Sequence, residues 1–68
     1  MMYIPVVMTE SYRVIRKGDP CREIEDAKKA AKELPIDRGQ MPAVIDSDHL
    51  VRWKGGIKVV RRAAKNSL

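Results

Sequence analysis

The chain has 68 residues, with 14 Lys or Arg against nine Asp or Glu and a formal charge of +5 at pH 7. A chain this short buries only about 60% of the surface its unfolded form exposes, which fits one domain and excludes a deep catalytic cleft or a dinucleotide fold. A single cysteine forms no internal disulfide, and the four Met fit a reducing compartment, so an intracellular, cytoplasmic protein is expected.

The first apolar run, Ile4-Pro5-Val6-Val7-Met8, is far shorter than the ~20 residues of a membrane helix. It has no basic leader and no cleavage pattern, so neither a signal peptide nor a membrane contact is expected. No internal repeat and no low-complexity stretch is visible. The expected domain spans 1–65, with 66–68 as a frayed end.

Residues 2–8 alternate Met2, Ile4, Val6 and Met8 against Tyr3, Pro5 and Val7, the pattern of a strand. Pro5 cannot donate to a ladder, which predicts an edge strand or a non-bonded position for the proline. After the polar break Thr9-Glu10, residues 11–17 alternate again and complete a hairpin. Gly18 ends that strand, Asp19 is a candidate N-cap, and Pro20 suits the first helical position. Ile24, Ala27, Ala31 and Leu34 then form one apolar helical stripe. Opposite lie Arg22, Glu25, Asp26, Lys28, Lys29, Lys32 and Glu33, with Glu25–Lys29, Arg22–Asp26 and Lys29–Glu33 as expected ion pairs. Pro35 stops the helix.

A loop over 36–40 turns near Arg38-Gly39, and Ala43-Val44-Ile45 reads as a buried strand. Asp46-Ser47-Asp48 reads as a turn, because these side chains accept nearby backbone N–H bonds. Residues 49–54 make the next strand, with Leu50 and Arg52 on one face and Val51 and Trp53 on the other. Gly55-Gly56 suits a two-residue hairpin turn. Residues 57–62 are the fifth strand, and a helix over 57–65 is the alternative, since Ile57, Val60 and Ala64 also share a helical face. The fold class is α+β: one small antiparallel sheet with a helix on one face, in the order ββαβββ. So small a core is marginal, and a homodimer is compatible with it.

Charge is unevenly distributed. Residues 1–51 hold eight cations and nine acids, whereas Arg52, Lys54, Lys58, Arg61, Arg62 and Lys65 follow with no acid among them. A block of this kind points to a polyanion or an acidic protein surface as partner. In a hairpin over 49–62, Arg52 and Lys54 share a face, with Lys58 and Arg61 or Arg62 across from them. Trp53 would stack bases if its ring were exposed; a core position is favoured, because it is the largest apolar group present. A merely solvated basic tail has equal standing with an anion site.

Enzymatic chemistry is not expected. His49 is the only histidine and Cys21 the only cysteine. Asp46-Ser47-Asp48-His49 is too local to wrap a metal ion and is explained as a turn. Cys21 near a helix N-terminus, paired with His49, lacks a third orienting group. No cofactor is implied.

In size, strand–helix order and charge the chain resembles the small accessory proteins of phages and mobile elements, anti-CRISPR proteins among them. The resemblance implies a protein-binding inhibitor or adaptor acting on a host protein or nucleoprotein complex. It carries no residue motif, and so assigns no residue a role. Two functions are therefore expected: binding of nucleic acid or another polyanion through Arg52, Trp53, Lys54, Lys58, Arg61, Arg62 and Lys65, or inhibition of a host complex. A self-associating structural subunit, pairing through the edge that holds Pro5, is a third.

Overall fold

A computed structural model describes residues 1–56. The expected fifth strand, its helical alternative, the frayed end, and Lys58, Arg61, Arg62 and Lys65 lie outside the described residues. Within them the chain is an α+β domain: β1 (Tyr3–Thr9), β2 (Val14–Lys17), α1 (Ile24–Glu33), β3 (Gln40–Asp46) and β4 (Val51–Lys54). The four strands form one antiparallel sheet in the order β2-β1-β3-β4, with α1 on one face.

Strand β1 is central, so the expectation of an edge for Pro5 is corrected, and with it the self-associating edge. The other expectation, a non-bonded position, explains how a central strand accommodates it. In a strand, the nitrogen and carbonyl of one residue point to the same side. The Pro5 carbonyl accepts a bond from Gly18 N–H at 2.8 Å, just past the last β1–β2 pair, Val6↔Lys17. The imino nitrogen thus faces the end of that ladder, where no donor is required. Pro42 in β3 repeats the device: its carbonyl accepts from Gly55 N–H at 2.8 Å, past the pair Ala43↔Lys54. This is also why β3 runs through Pro42 instead of starting after it.

The two hairpins are related by a local two-fold axis that the sequence does not announce. Residue i of the first corresponds to i+37 of the second, and the axis passes through the pair Val6↔Ala43 at the centre of the β1–β3 ladder. Both outer ladders break register at the same place, between Val7 and Met8 and between Val44 and Ile45, leaving Ile15 and Arg52 as bulge residues. Both turns close alike. Tyr12 N–H bonds Thr9 C=O and His49 N–H bonds Asp46 C=O, each at 2.9 Å. Among the described residues, Tyr12 and His49 are the two non-glycine residues with positive φ, 65° and 67°. The side chains of Thr9 and Asp46 do the same work, accepting from Arg13 N–H at 3.3 Å and Leu50 N–H at 3.0 Å. The identities behind this are Pro5/Pro42, Val7/Val44, Val14/Val51, Lys17/Lys54 and Gly18/Gly55.

Helix α1 begins later than its local signals suggest. Tyr3 and Cys21 exchange two backbone bonds of 2.7 Å each, forming a bridge that holds the chain extended past Asp19 and Pro20. The N-cap is therefore Glu23, without a side-chain cap bond, and Cys21 precedes the helix instead of sitting in its first turn. Leu34, at φ −72° and ψ 147°, ends the helix before Pro35 as expected. Three of the four predicted stripe residues hold: Ala27 and Ala31 are buried, with Ile24 half-buried against the same cluster, while Leu34 lies past the helix end as its extended C-cap. Alanine at these positions lets the helix lie close to Val44. Glu25 pairs with Lys28 at 3.2 Å, the helix's ion pair among the described residues, in place of the three expected.

Side chains alternate across the sheet. Tyr3, Pro5, Val7, Val44 and Trp53 share the helix side, while Ile4, Val6, Met8, Met41, Ala43 and Ile45 form a second cluster on the other. The core members of that second cluster are at most 4% exposed. No described helix or strand lies over this second face.

Candidate polyanion interface

Strand β4 positions the described part of the basic block, and its bulge decides where each side chain goes. Simple alternation places Arg52 and Lys54 on one face. The bulge instead aligns Val51 with Ile45 and Trp53 with Val44, so Lys54 joins Ala43 on the second face while Arg52 is the extra residue. The three site residues that sequence groups together therefore diverge: Trp53 to the helix side, Lys54 to the opposite face, Arg52 to the turn.

Arg52 is held by Asp46. Its Nε donates to Asp46 Oδ2 at 2.8 Å, and Asp46 Oδ1 accepts from Asp48 N–H at 2.8 Å and Leu50 N–H at 3.0 Å. Asp46 is fully buried, and its carboxylate is saturated with donors, as a buried charge must be. The Leu50 N–H bond, with those from Arg52 and Asp48, holds the Asp46 carboxyl below its usual range, although burial pushes the other way. The aspartate predicted as a turn former thus also anchors the first cation of the basic block.

Trp53 is half-buried against Ala27, Ala31 and Val44. The ammonium groups of Lys28 and Lys32 stand 5.9 and 5.5 Å from its ring centroid, within cation–π range. One part of the indole thus belongs to the core, and another meets helix lysines. The i,i+4 spacing of Lys28 and Lys32 on the polar face was visible in the sequence; their meeting with Trp53 across the fold was not. Beside them opens a groove of about 470 Å³ lined by Lys32, Leu34, Ile36, Pro42 and Gly56.

Lys54 Nζ donates to Tyr12 Oη at 2.7 Å and lies 4.8 Å from the Tyr12 ring centroid. Gly55 continues alongside Pro42, and neither Gly55 nor Gly56 has positive φ, so the expected two-residue hairpin turn is not formed there. Close packing, not turn geometry, calls for glycine at position 55.

Other reactive residues are dispersed. Cys21 is half-buried, with its thiol 3.6 Å from Asp19 C=O, and His49 is exposed at the β3–β4 turn. Among the described residues no three His, Cys, Asp or Glu side chains are grouped as metal ligands, and no helix is long and apolar enough to cross a membrane. Comparison of the chain with protein-family models, curated proteins and solved structures gives no match.

Proposed function

We propose that this is a small non-enzymatic binding protein that engages nucleic acid or another polyanion through the basic region beginning at Arg52. The observation that carries this reading is the acid-free run of six cations from Arg52 to Lys65 in a chain otherwise balanced in charge. Its first members stand on a strand paired with β3, and such ordering limits the entropy lost on binding. Lys54 has no carboxylate within 4 Å among the described residues, and its hydrogen-bond partner is a neutral phenol. Arg52, paired with Asp46, fixes the strand and leaves part of its guanidinium exposed. Trp53 acts as an anchor between sheet and helix, so recognition runs through phosphates and not through stacked bases. Lys58, Arg61, Arg62 and Lys65 follow in the chain and supply the remaining charge.

Titration of a labelled oligonucleotide from 50 to 200 mM salt tests the reading. About six phosphate contacts would weaken binding roughly 10³-fold over that range. Absence of salt-dependent binding to DNA, RNA and heparin would sink it.

A second reading, a protein-binding inhibitor or adaptor, draws on Tyr12 and Leu50, which are 54% and 58% exposed beside the two turns. A partner captured after nuclease treatment, and lost on Leu50→Asp, would favour it over the first.

A further inference from the structure

The polar face of α1 and strand β4 meet at one aromatic ring. Lys28 and Lys32 bring their ammonium groups to 5.9 and 5.5 Å from the Trp53 centroid, so two cations one helical turn apart converge on one indole. Four residues of helix advance about 6 Å. Cation–π attraction holds both ammonium groups near the ring, which leaves less side-chain entropy to lose when a ligand pairs with them. Lys28 already pairs with Glu25 at 3.2 Å, but the Glu25 side chain is 79% exposed. A pair so open to solvent is readily exchanged. Past Lys32, toward the end of α1, the surface turns apolar. Lys32 itself, Leu34, Ile36, Pro42 and Gly56 line the groove of about 470 Å³. This surface is accessible: Lys32 and Gly56 are exposed, and Leu34 and Ile36 are half-buried. Two cations and an apolar groove thus follow one another along the last turns of α1.

We infer that this strip binds an extended acidic segment of a protein partner, with two carboxylates on Lys28 and Lys32 and an apolar side chain in the groove. Alternate residues of an extended chain lie about 6.6 Å apart and point the same way. That spacing matches the step along the helix from Lys28 to Lys32. A segment with acids at its first and third positions then carries its fifth side chain past Lys32, where Leu34 and Pro42 line the groove. A nucleic-acid strand offers the charges, but its bases would have to stack on the ring that the ammonium groups already hold. The inference goes beyond the polyanion reading, which uses the chain from Arg52 onward. It supplies the protein-binding reading with a site and a partner chemistry.

The test uses the full chain and reads the fluorescence of Trp53, the one tryptophan in the sequence. The probe is a five-residue peptide, blocked at both ends, with glutamate first and third, leucine fifth and glycine between. Two control peptides replace both glutamates by glutamine, or the leucine by serine. A five-nucleotide single strand represents the rival ligand class. Variants are Lys28→Gln and Lys32→Gln, with Lys17→Gln as control on β2, the far edge of the sheet, and circular dichroism to confirm folding. The acidic peptide is expected to shift the emission saturably, less tightly as salt rises. Each helix variant weakens binding by about threefold or more, and Lys17→Gln leaves it unchanged. Both control peptides bind at least about threefold more weakly than the probe. The inference is overturned by the absence of a saturable shift, by equal binding of the probe and either control peptide, or by insensitivity to both helix variants. Tighter binding of the oligonucleotide than of the peptide overturns it as well. None of these outcomes decides the polyanion reading, which the salt titration of a labelled oligonucleotide tests separately.

Discussion

The Pro42 ring fills the space into which a side chain at Gly55 would project: a Cβ built there would lie 2.7 Å from Pro42 Cγ and 3.1 Å from the Trp53 ring. A pyrrolidine ring in a central strand has little room to yield. Gly55→Ala is therefore expected to destabilise the protein by about 1–3 kcal/mol, as overpacking does. Its symmetry equivalent Gly18, where the corresponding gap to Pro5 Cγ is 3.0 Å, should tolerate Ala better. Gly56→Ala, with nothing within 4 Å, should stay within about 0.5 kcal/mol. Urea unfolding of the three variants gives the order.

The turn residues Tyr12 and His49 adopt left-handed backbone at φ 65° and 67°. That conformation costs an L-residue about 1–2 kcal/mol, and glycine avoids it at some entropic loss. His49 has no side-chain bond among the described residues. His49→Gly should thus raise stability by about 0.5–1 kcal/mol, measured as an upward shift in Tm. Tyr12→Gly should gain less, because it removes the acceptor of Lys54.

Asp46 gives stability a defined acid limb. Its native carboxyl titrates below the ordinary value, chiefly because Leu50 N–H bonds the ionised form. A depressed native pKa stabilises the fold above the unfolded pKa of about 3.9 and loses that contribution as pH falls through the native value. Stability is then flat above about pH 5 from this group and declines below about pH 4. Asp46→Asn should lower Tm at pH 7 and flatten the decline. A variant that kept the wild-type acid limb would assign that limb to other carboxylates.

Trp53 is expected to serve the fold more than the ligand. Trp53→Ala should cost about 2–3 kcal/mol, below the 3–5 typical of fully buried aromatics. Trp53→Phe should retain oligonucleotide affinity within about twofold if, as proposed, phosphates and not bases are contacted. Loss of affinity in a folded Trp53→Phe protein would instead argue for stacking on the indole.

Much of this fold can be anticipated from local chemistry. The stripe Ile24, Ala27, Ala31, the stop at Pro35 and the turn after Asp46 are all short-range patterns, and each is found where the residues indicate. The departures come from long-range contacts. The bridge from Cys21 to Tyr3 overrides Asp19 and Pro20 as helix-start signals. The bulge at Arg52 reverses the face of Lys54, which no alternation count can reveal. The repeat is hidden because equivalence is chemical more often than literal: Thr9 and Asp46 both accept backbone bonds, and Tyr12 and His49 share only a backbone conformation. For the candidate site, Arg52, Trp53 and Lys54 were legible as a charge pattern with one aromatic. Asp46 as anchor and Lys28 and Lys32 over the indole depend on long-range packing.

The symmetry through Val6 and Ala43 also says what kind of seam holds the domain together. Each hairpin offers the other the same edge, with the same proline, the same bulge and the same direction of approach. Such self-matching contacts ordinarily join two identical subunits. Here they join the halves of one chain, and the stretch from Gly18 to Gly39 serves as a tether between two units that meet as a dimer would.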